Sequence, residues 1–255
     1  MEQSDCLTLQ ASCWIYCKTQ EKHVLLVFLE QNVFLFIVNA WEFRYNKKYG
    51  MIGTTERKVI SMEIQQVRDA LERRGYMTSY FATKEEAANY LAEELKGKKV
   101  AFGGSVTLDQ MNAYDVIGKE SDVHWHWKGD SFCQDADAYI ASANAVAETG
   151  EIVNIDGVGN RIAGTLFGSK EIYLVCGVNK IVPTLADALE RAQNIAAPKN
   201  AVRIGCKTPC AAAEGEKCFH CMSPAKICRA TVILNGPTLA KDRYEIVLIG
   251  EELGY

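Results

Sequence analysis

The tightest constraint on the chain lies between Ala138 and Val182, AYIASANAVAETGEIVNIDGVGNRIAGTLFGSKEIYLVCGVNKIV. An apolar strand, Ala138 to Ala141, precedes a turn at Glu148-Thr149-Gly150 and a second strand, Glu151 to Ile155. The loop Asp156-Gly157-Val158-Gly159-Asn160-Arg161 then leads into a helical stretch, Ile162 to Phe167. A third strand, Glu171 to Cys176, is rich in β-branched and aromatic residues. Glycines two apart let a backbone turn sharply and approach another segment closely. Asp156, Asn160 and Arg161 therefore gather where a helix begins, a position whose free N–H groups favour anions. A tight turn with an exposed Arg is the plainer reading of the same residues.

The preceding segment repeats this alternation. Ile64, Val67 and Leu71 fall on one helical face, and Gly75 stands where a helix stop belongs. Tyr76 to Ala82 reads as a strand. Thr83-Lys84-Glu85-Glu86 is a capping box, and Ala87, Leu91 and Leu95 form the buried stripe of the next helix. Val100-Ala101-Phe102 is a strand ending in Gly103-Gly104-Ser105, whose amides and hydroxyl suit a phosphate or carboxylate. His124-Trp125-His126-Trp127 alternates as a strand does, placing the two His on one face. Thr184 caps a further helix that Ala197-Pro198 ends, and Ala230 to Leu234 and Tyr244 to Ile249 are strands. Such β–α alternation is the signature of a parallel sheet.

Residues 1–56 are set apart. His23 to Trp41 is nearly all apolar except for Glu30-Gln31-Asn32. Three polar groups at the centre of a membrane span are costly, which makes a span unfavourable. Two short strands, Val24 to Leu29 and Val33 to Val38, fit the segment too, as does an extension outside the functional protein. Residues 57–255 read as one domain.

Charge and cysteine use bound the function. A net charge of −4, with no long basic run, argues against a nucleic-acid partner. Ten cysteines are many, and Cys206, Cys210, Cys218, Cys221 and Cys228 are clustered. The first residues lack a basic region and a cleavage site, so a cytoplasmic location is expected and thiols are expected to stay reduced. Cys218 and Cys221 have the reach for one metal, and Cys210 and Cys228 could close the site. Zinc, an iron–sulfur cluster and a metal-free loop all stay open. Asp156 is the nearest acid to the loop, and Lys180 and Arg161 are the anion contacts.

Several motifs carry a family resemblance: Asn144, VNIDGVGNR at 153–161, GVNKIV at 177–182, AAPKNAVR at 196–203, TPC at 208–210 and GEELGY at 250–255. In this order they resemble the LUD domain, the family that includes lactate-utilisation protein C. The resemblance implies an α/β fold of the NagB/ribose-5-phosphate isomerase/CoA-transferase type, with a mainly parallel twisted sheet flanked by helices. It also implies ligand contacts at Gly103, Gly104, Ser105, Asn144, Asn154, Asp156, Gly157, Gly159, Asn160, Arg161, Asn179 and Lys180. Where related isomerases carry an acid, this chain has Ser142-Ala143-Asn144, and an amide cannot take a proton as a carboxylate does.

The implied role is L-lactate oxidation to pyruvate in a multi-subunit system. No Rossmann GxGxxG is present. The chain is therefore expected to be a non-flavin component that binds a small anionic metabolite, with iron–sulfur oxidoreductase subunits as partners. Rival readings are a stand-alone enzyme or binding protein for a phosphorylated or CoA-linked molecule, and a metal-stabilised scaffold.

Overall fold

The structure is a computed structural model describing residues 7–9, 14–19, 22–29, 32–38, 54–130, 133 and 135–255, with side chains from residue 64 onward. Two compact units divide the chain, Met1–Val59 and Ile60–Tyr255. In the first, β1 (Leu7–Leu9), β2 (Trp14–Thr19), β3 (Lys22–Leu29) and β4 (Asn32–Val38) pair antiparallel in sequential order. The apolar stretch around Glu30-Gln31-Asn32 thus contains a strand pair, with Leu29 opposite Asn32. Among the described residues no helix is long and apolar enough to cross a membrane.

The second unit follows helix α1 (Thr54–Arg73) with β5 (Met77–Phe81), α2 (Lys84–Glu94), β6 (Lys99–Phe102), α3 (Val106–Gln110), α4 (Ala113–Ile117) and β7 (Asp122–Trp125). Next come β8 (Ala138–Ala141), β9 (Ala145–Ala147), β10 (Ile152–Asp156), α5 (Asn160–Leu166), β11 (Glu171–Gly177) and β12 (Ile181–Val182). The chain closes with α6 (Leu185–Arg191), α7 (Ala197–Arg203), α8 (Pro209–Ala212), β13 (Ala230–Leu234) and β14 (Arg243–Ile249).

Six parallel strands form the main sheet in the order β5-β14-β11-β8-β6-β7. Its centre is apolar on both faces, as a sheet covered by helices requires. On β11, Ile172, Leu174 and Cys176 pack toward one core with Ile64, Val67 and Leu71 of α1. Tyr173 and Val175 point into the opposite core with Leu91 of α2, Phe102 and Trp125. Each such aliphatic side chain contributes about 1.5–3 kcal/mol when fully buried. The second sheet, β12-β9-β10-β13, packs Ala145, Ala147 and Val153 against Ala188 of α6 and Ala192.

Local signals account for most boundaries. Thr83 and Thr184 both make capping boxes, with Glu86 and Asp187 as the returning acids. Gly75 takes the left-handed conformation just beyond α1, with φ +94°.

Two expectations fail. Pro198 does not end its helix: α6 passes through a π turn, Ala192–Ala196, directly into α7, where Pro198 occupies the first turn. A proline there gives up a hydrogen bond that the widened turn already leaves unmade. Nor do His124 and His126 share a strand face, because β7 stops at Trp125 and His126 opens a 3-10 turn.

Candidate functional site

Parallel strands bring their carboxyl ends to one edge, and three of them deliver the site. Gly103-Gly104-Ser105 follows β6, Ser142-Ala143-Asn144 follows β8, and Val178–Lys180 follows β11. Together with the loop after β10 and the segment around Gly254, they enclose a cavity of about 220 Å³. Such an edge is where open α/β sheets bind ligands.

The glycine corner behaves as its spacing demands. A Cβ on Gly157 would stand 2.8 Å from the Ile227 carbonyl oxygen, and Gly159 sits at φ +91°. Asp156 fastens the corner: Oδ1 accepts from the Val158 and Gly159 amides at 3.2 and 3.1 Å, and Oδ2 accepts from the Ile162 amide at 3.2 Å. Its carboxylate is thereby the cap of α5 rather than a free base.

Arg161 is an internal strut. Its Nη1 donates to the Ser142 carbonyl at 2.9 Å and to Asn154 Oδ1. Its Nη2 donates to Asn144 Oδ1 at 2.9 Å and to the Ile155 carbonyl at 2.6 Å, while Nε faces Asp156 Oδ2 at 3.9 Å. Burial pulls its pKa below the ordinary guanidinium value, with Asp156 pulling back. Asn144 Oδ1 also accepts from the Ile155 amide at 2.7 Å. This network ties the end of β8 to the end of β10, and it leaves Arg161 little donor capacity for a ligand.

Lys180 differs. Only 3% exposed, it directs Nζ at Thr107 Oγ1 and Ser142 Oγ, each at 2.7 Å. Among the described residues no carboxylate lies within ion-pair distance of it. Desolvation, aided by Arg191 and Arg161, depresses its pKa to about 7 from 10.5, against an opposing contribution from Cys176. A buried amine poised near neutrality at a cavity wall is the chemically distinctive group of this site.

Eight of the residues expected to contact ligand line this cavity: Gly104, Ser105, Asn144, Asp156, Gly157, Asn160, Arg161 and Lys180. Gly103, Asn154, Gly159 and Asn179 do not line it. Asn154 is 1% exposed and works within the Arg161 network. Asn179 Oδ1 accepts from the Leu253 amide at 3.1 Å and so anchors the C-terminal segment. Ser105 is buried and caps α3, its hydroxyl accepting from the Leu108 amide at 3.2 Å.

Sequence reading missed Thr107, His126, Trp127, Asn200, Arg203, Gly254 and Tyr255, which also line the cavity. Trp127 stacks on Trp125 with centroids 5.2 Å apart, and the Arg203 guanidinium lies 4.4 Å from the Trp127 ring centroid. Arg203 Nε donates to Asn200 Oδ1 at 2.9 Å. Asn200, Arg203, Gly254 and Tyr255 sit inside the motifs at 196–203 and 250–255, so a signal for them existed; Thr107 had none.

The clustered cysteines occupy a different chamber. Cys210, Cys218, Cys221 and Cys228 all line a cavity of about 270 Å³ that Ile155 of β10 and Thr231 of β13 also line. Cys218 Sγ accepts from the His220 amide at 3.3 Å, and Cys210 Sγ lies 3.2 Å from Thr208 Oγ1. Desolvation raises the Cys228 thiol pKa, and Cys218 and Cys221 add to it. Among the described residues no three His, Cys, Asp or Glu side chains stand together as a metal-ligand group. The four thiols share one chamber.

The family model described as "LUD domain" matches residues 64–249. A solved structure, a DUF162 family protein from Deinococcus radiodurans, is similar at 17% identity and a TM-score of 0.48, covering 74% of this chain and 98% of its own. No curated protein gives a match. With its parallel sheet, its motif-bearing cavity edge and a family match spanning most of its length, the chain belongs to the LUD domain family.

Proposed function

We propose that this protein binds a small organic acid at the cavity on the carboxyl edge of its sheet. On this reading it serves as a non-flavin component of L-lactate oxidation to pyruvate, or of related organic-acid metabolism, alongside iron–sulfur oxidoreductase subunits. The LUD family's association with lactate-utilisation proteins supports the metabolic setting. The observation that carries the ligand class is Lys180, a buried amine at the cavity wall with hydroxyl partners and no carboxylate within reach among the described residues. An anionic ligand would supply the missing counter-charge, favouring the ammonium form as any nearby opposite charge does. A cavity of about 220 Å³ suits a short acid better than a dinucleotide. Arg203, Asn200 and His126 add polar groups around it.

Thermal shift with L-lactate, pyruvate, sugar phosphates, nucleotides and coenzyme A tests the proposal. Lactate or pyruvate should raise the melting temperature in a saturable way, and Lys180→Met should abolish the shift while remaining folded. A shift from coenzyme A or sugar phosphates alone, or none from the acids, would overturn the assignment.

A further inference from the structure

The surroundings of Lys180 point beyond simple charge pairing. Thr107 Oγ1 donates to the Leu253 carbonyl at 3.3 Å, and Ser142 Oγ is within 3.4 Å of both Thr107 Oγ1 and the Ala143 carbonyl. Both hydroxyl hydrogens thus have acceptors of their own, which leaves each oxygen to accept from Lys180 Nζ at 2.7 Å. A neutral amine has two hydrogens to give, and the two hydroxyls take them both. Its lone pair is left over. Burial favours the neutral form, with Cys176 favouring a proton there and Arg191 and Arg161 opposing one.

The space beside Nζ is kept open by backbone. Gly254 lies over the amine at φ +67°, and a Cβ there would stand 3.2 Å from Nζ and 2.5 Å from Thr107 Oγ1. Any other residue would fill the approach. Arg203 lines the same cavity, and its terminal nitrogens make no hydrogen bond among the described residues, leaving a cation for a carboxylate.

We propose that Lys180 is a nucleophile that condenses with the carbonyl of a small 2-oxo acid, pyruvate being the simplest, to form an imine in this cavity. The step rests on the organic-acid reading above and needs no oxidant. The Nζ lone pair forms a bond to the carbonyl carbon while the π pair moves to oxygen. A proton from nitrogen reaches that oxygen through the Ser142 or Thr107 hydroxyl, giving a carbinolamine. Nitrogen's second hydrogen passes to the carbinolamine hydroxyl by the same relay, and the C–O pair leaves with it as water. The nitrogen lone pair closes the C=N bond, so amine and ketone become imine and water. L-Lactate, which has the carboxylate without the carbonyl, can bind but cannot condense.

Reductive trapping tests this on the full chain. Incubation with pyruvate and cyanoborohydride, followed by intact mass and peptide mapping, should give one adduct, on Lys180. Its mass should equal that of pyruvate less water plus two hydrogens. Lactate should give none, and Lys180→Met should lose the adduct. Ser142→Ala should slow trapping at least several-fold. Pyruvate binding with Lys180 unmodified would overturn the imine and leave the binding reading standing. Labelling of Lys180 no faster than of surface lysines would also overturn it. If neither acid shifts the melting temperature and no adduct forms, both readings fall.

Discussion

Lys180 Nζ and Ser142 Oγ stand 2.7 Å apart, joining the end of β11 to the end of β8. The pair is neutral on one side and ionisable on the other, and this makes the stability of the fold depend on pH. Lys180 has its pKa lowered from 10.5 to about 7 in the folded chain. Between those values the unfolded chain binds a proton that the folded chain does not, so stability rises with pH across that window. The slope is at most about 1.4 kcal/mol per pH unit. Urea unfolding from pH 6 to 10 should therefore show the stability of wild type rising relative to Lys180→Met. A constant difference across that range would refute the neutral-amine description.

Arg161→Ala should destabilise the protein by about 3 kcal/mol or more, since it removes the guanidinium that bonds the Ser142 and Ile155 carbonyls and the Asn144 and Asn154 side-chain oxygens, and the buried cation that faces Asp156. Denaturant midpoints measure this directly. Loss of ligand binding in that variant would accompany loss of the corner itself, which is why Lys180→Met is the better probe of the site.

Asp156→Ala removes the acceptor of three amides at the start of α5. A loss of about 1–2 kcal/mol is expected, with faster hydrogen exchange at Val158, Gly159 and Ile162. Asp156→Asn should keep much of the stability, because one amide oxygen can still accept. An equal loss in both variants would contradict the capping role.

At the opposite end of the strands, Glu245 is buried on β14 between Arg243 and Tyr90, with Arg243 Nε donating at 2.7 Å and the Tyr90 hydroxyl at 2.9 Å. Arg243 in turn pairs with Glu94. Arg243→Met strands a buried carboxylate and should cost about 3–5 kcal/mol, whereas Glu245→Gln should cost less. Chemical denaturation of the two variants, compared with the double variant, gives the coupling.

Much of this architecture could be read from short-range chemistry. Thr83 with Glu86 and Thr184 with Asp187 announce their helices in four residues, and Ala138 to Ala141 is the strand its composition suggests. The glycine corner was also visible, because conformational freedom is a property of the residue itself. Pro198 misled because a π turn removes the penalty that makes proline a terminator, and that turn has no sequence signature of its own. Side-chain roles at the cavity were harder still. Arg161 bonds carbonyls delivered by β8 and β10, and Thr107 meets Lys180 only once distant segments pair. Such meetings are tertiary facts, and no local pattern encodes them.

The two chambers are not insulated from each other. Ile155, Ala197 and Ile227 form part of the wall of both, and Ile227 immediately precedes Cys228. A bulky maleimide on that thiol would push the shared partition sideways, so thiol chemistry in one compartment should be read out as a weakened grip on the proposed acid ligand in the other.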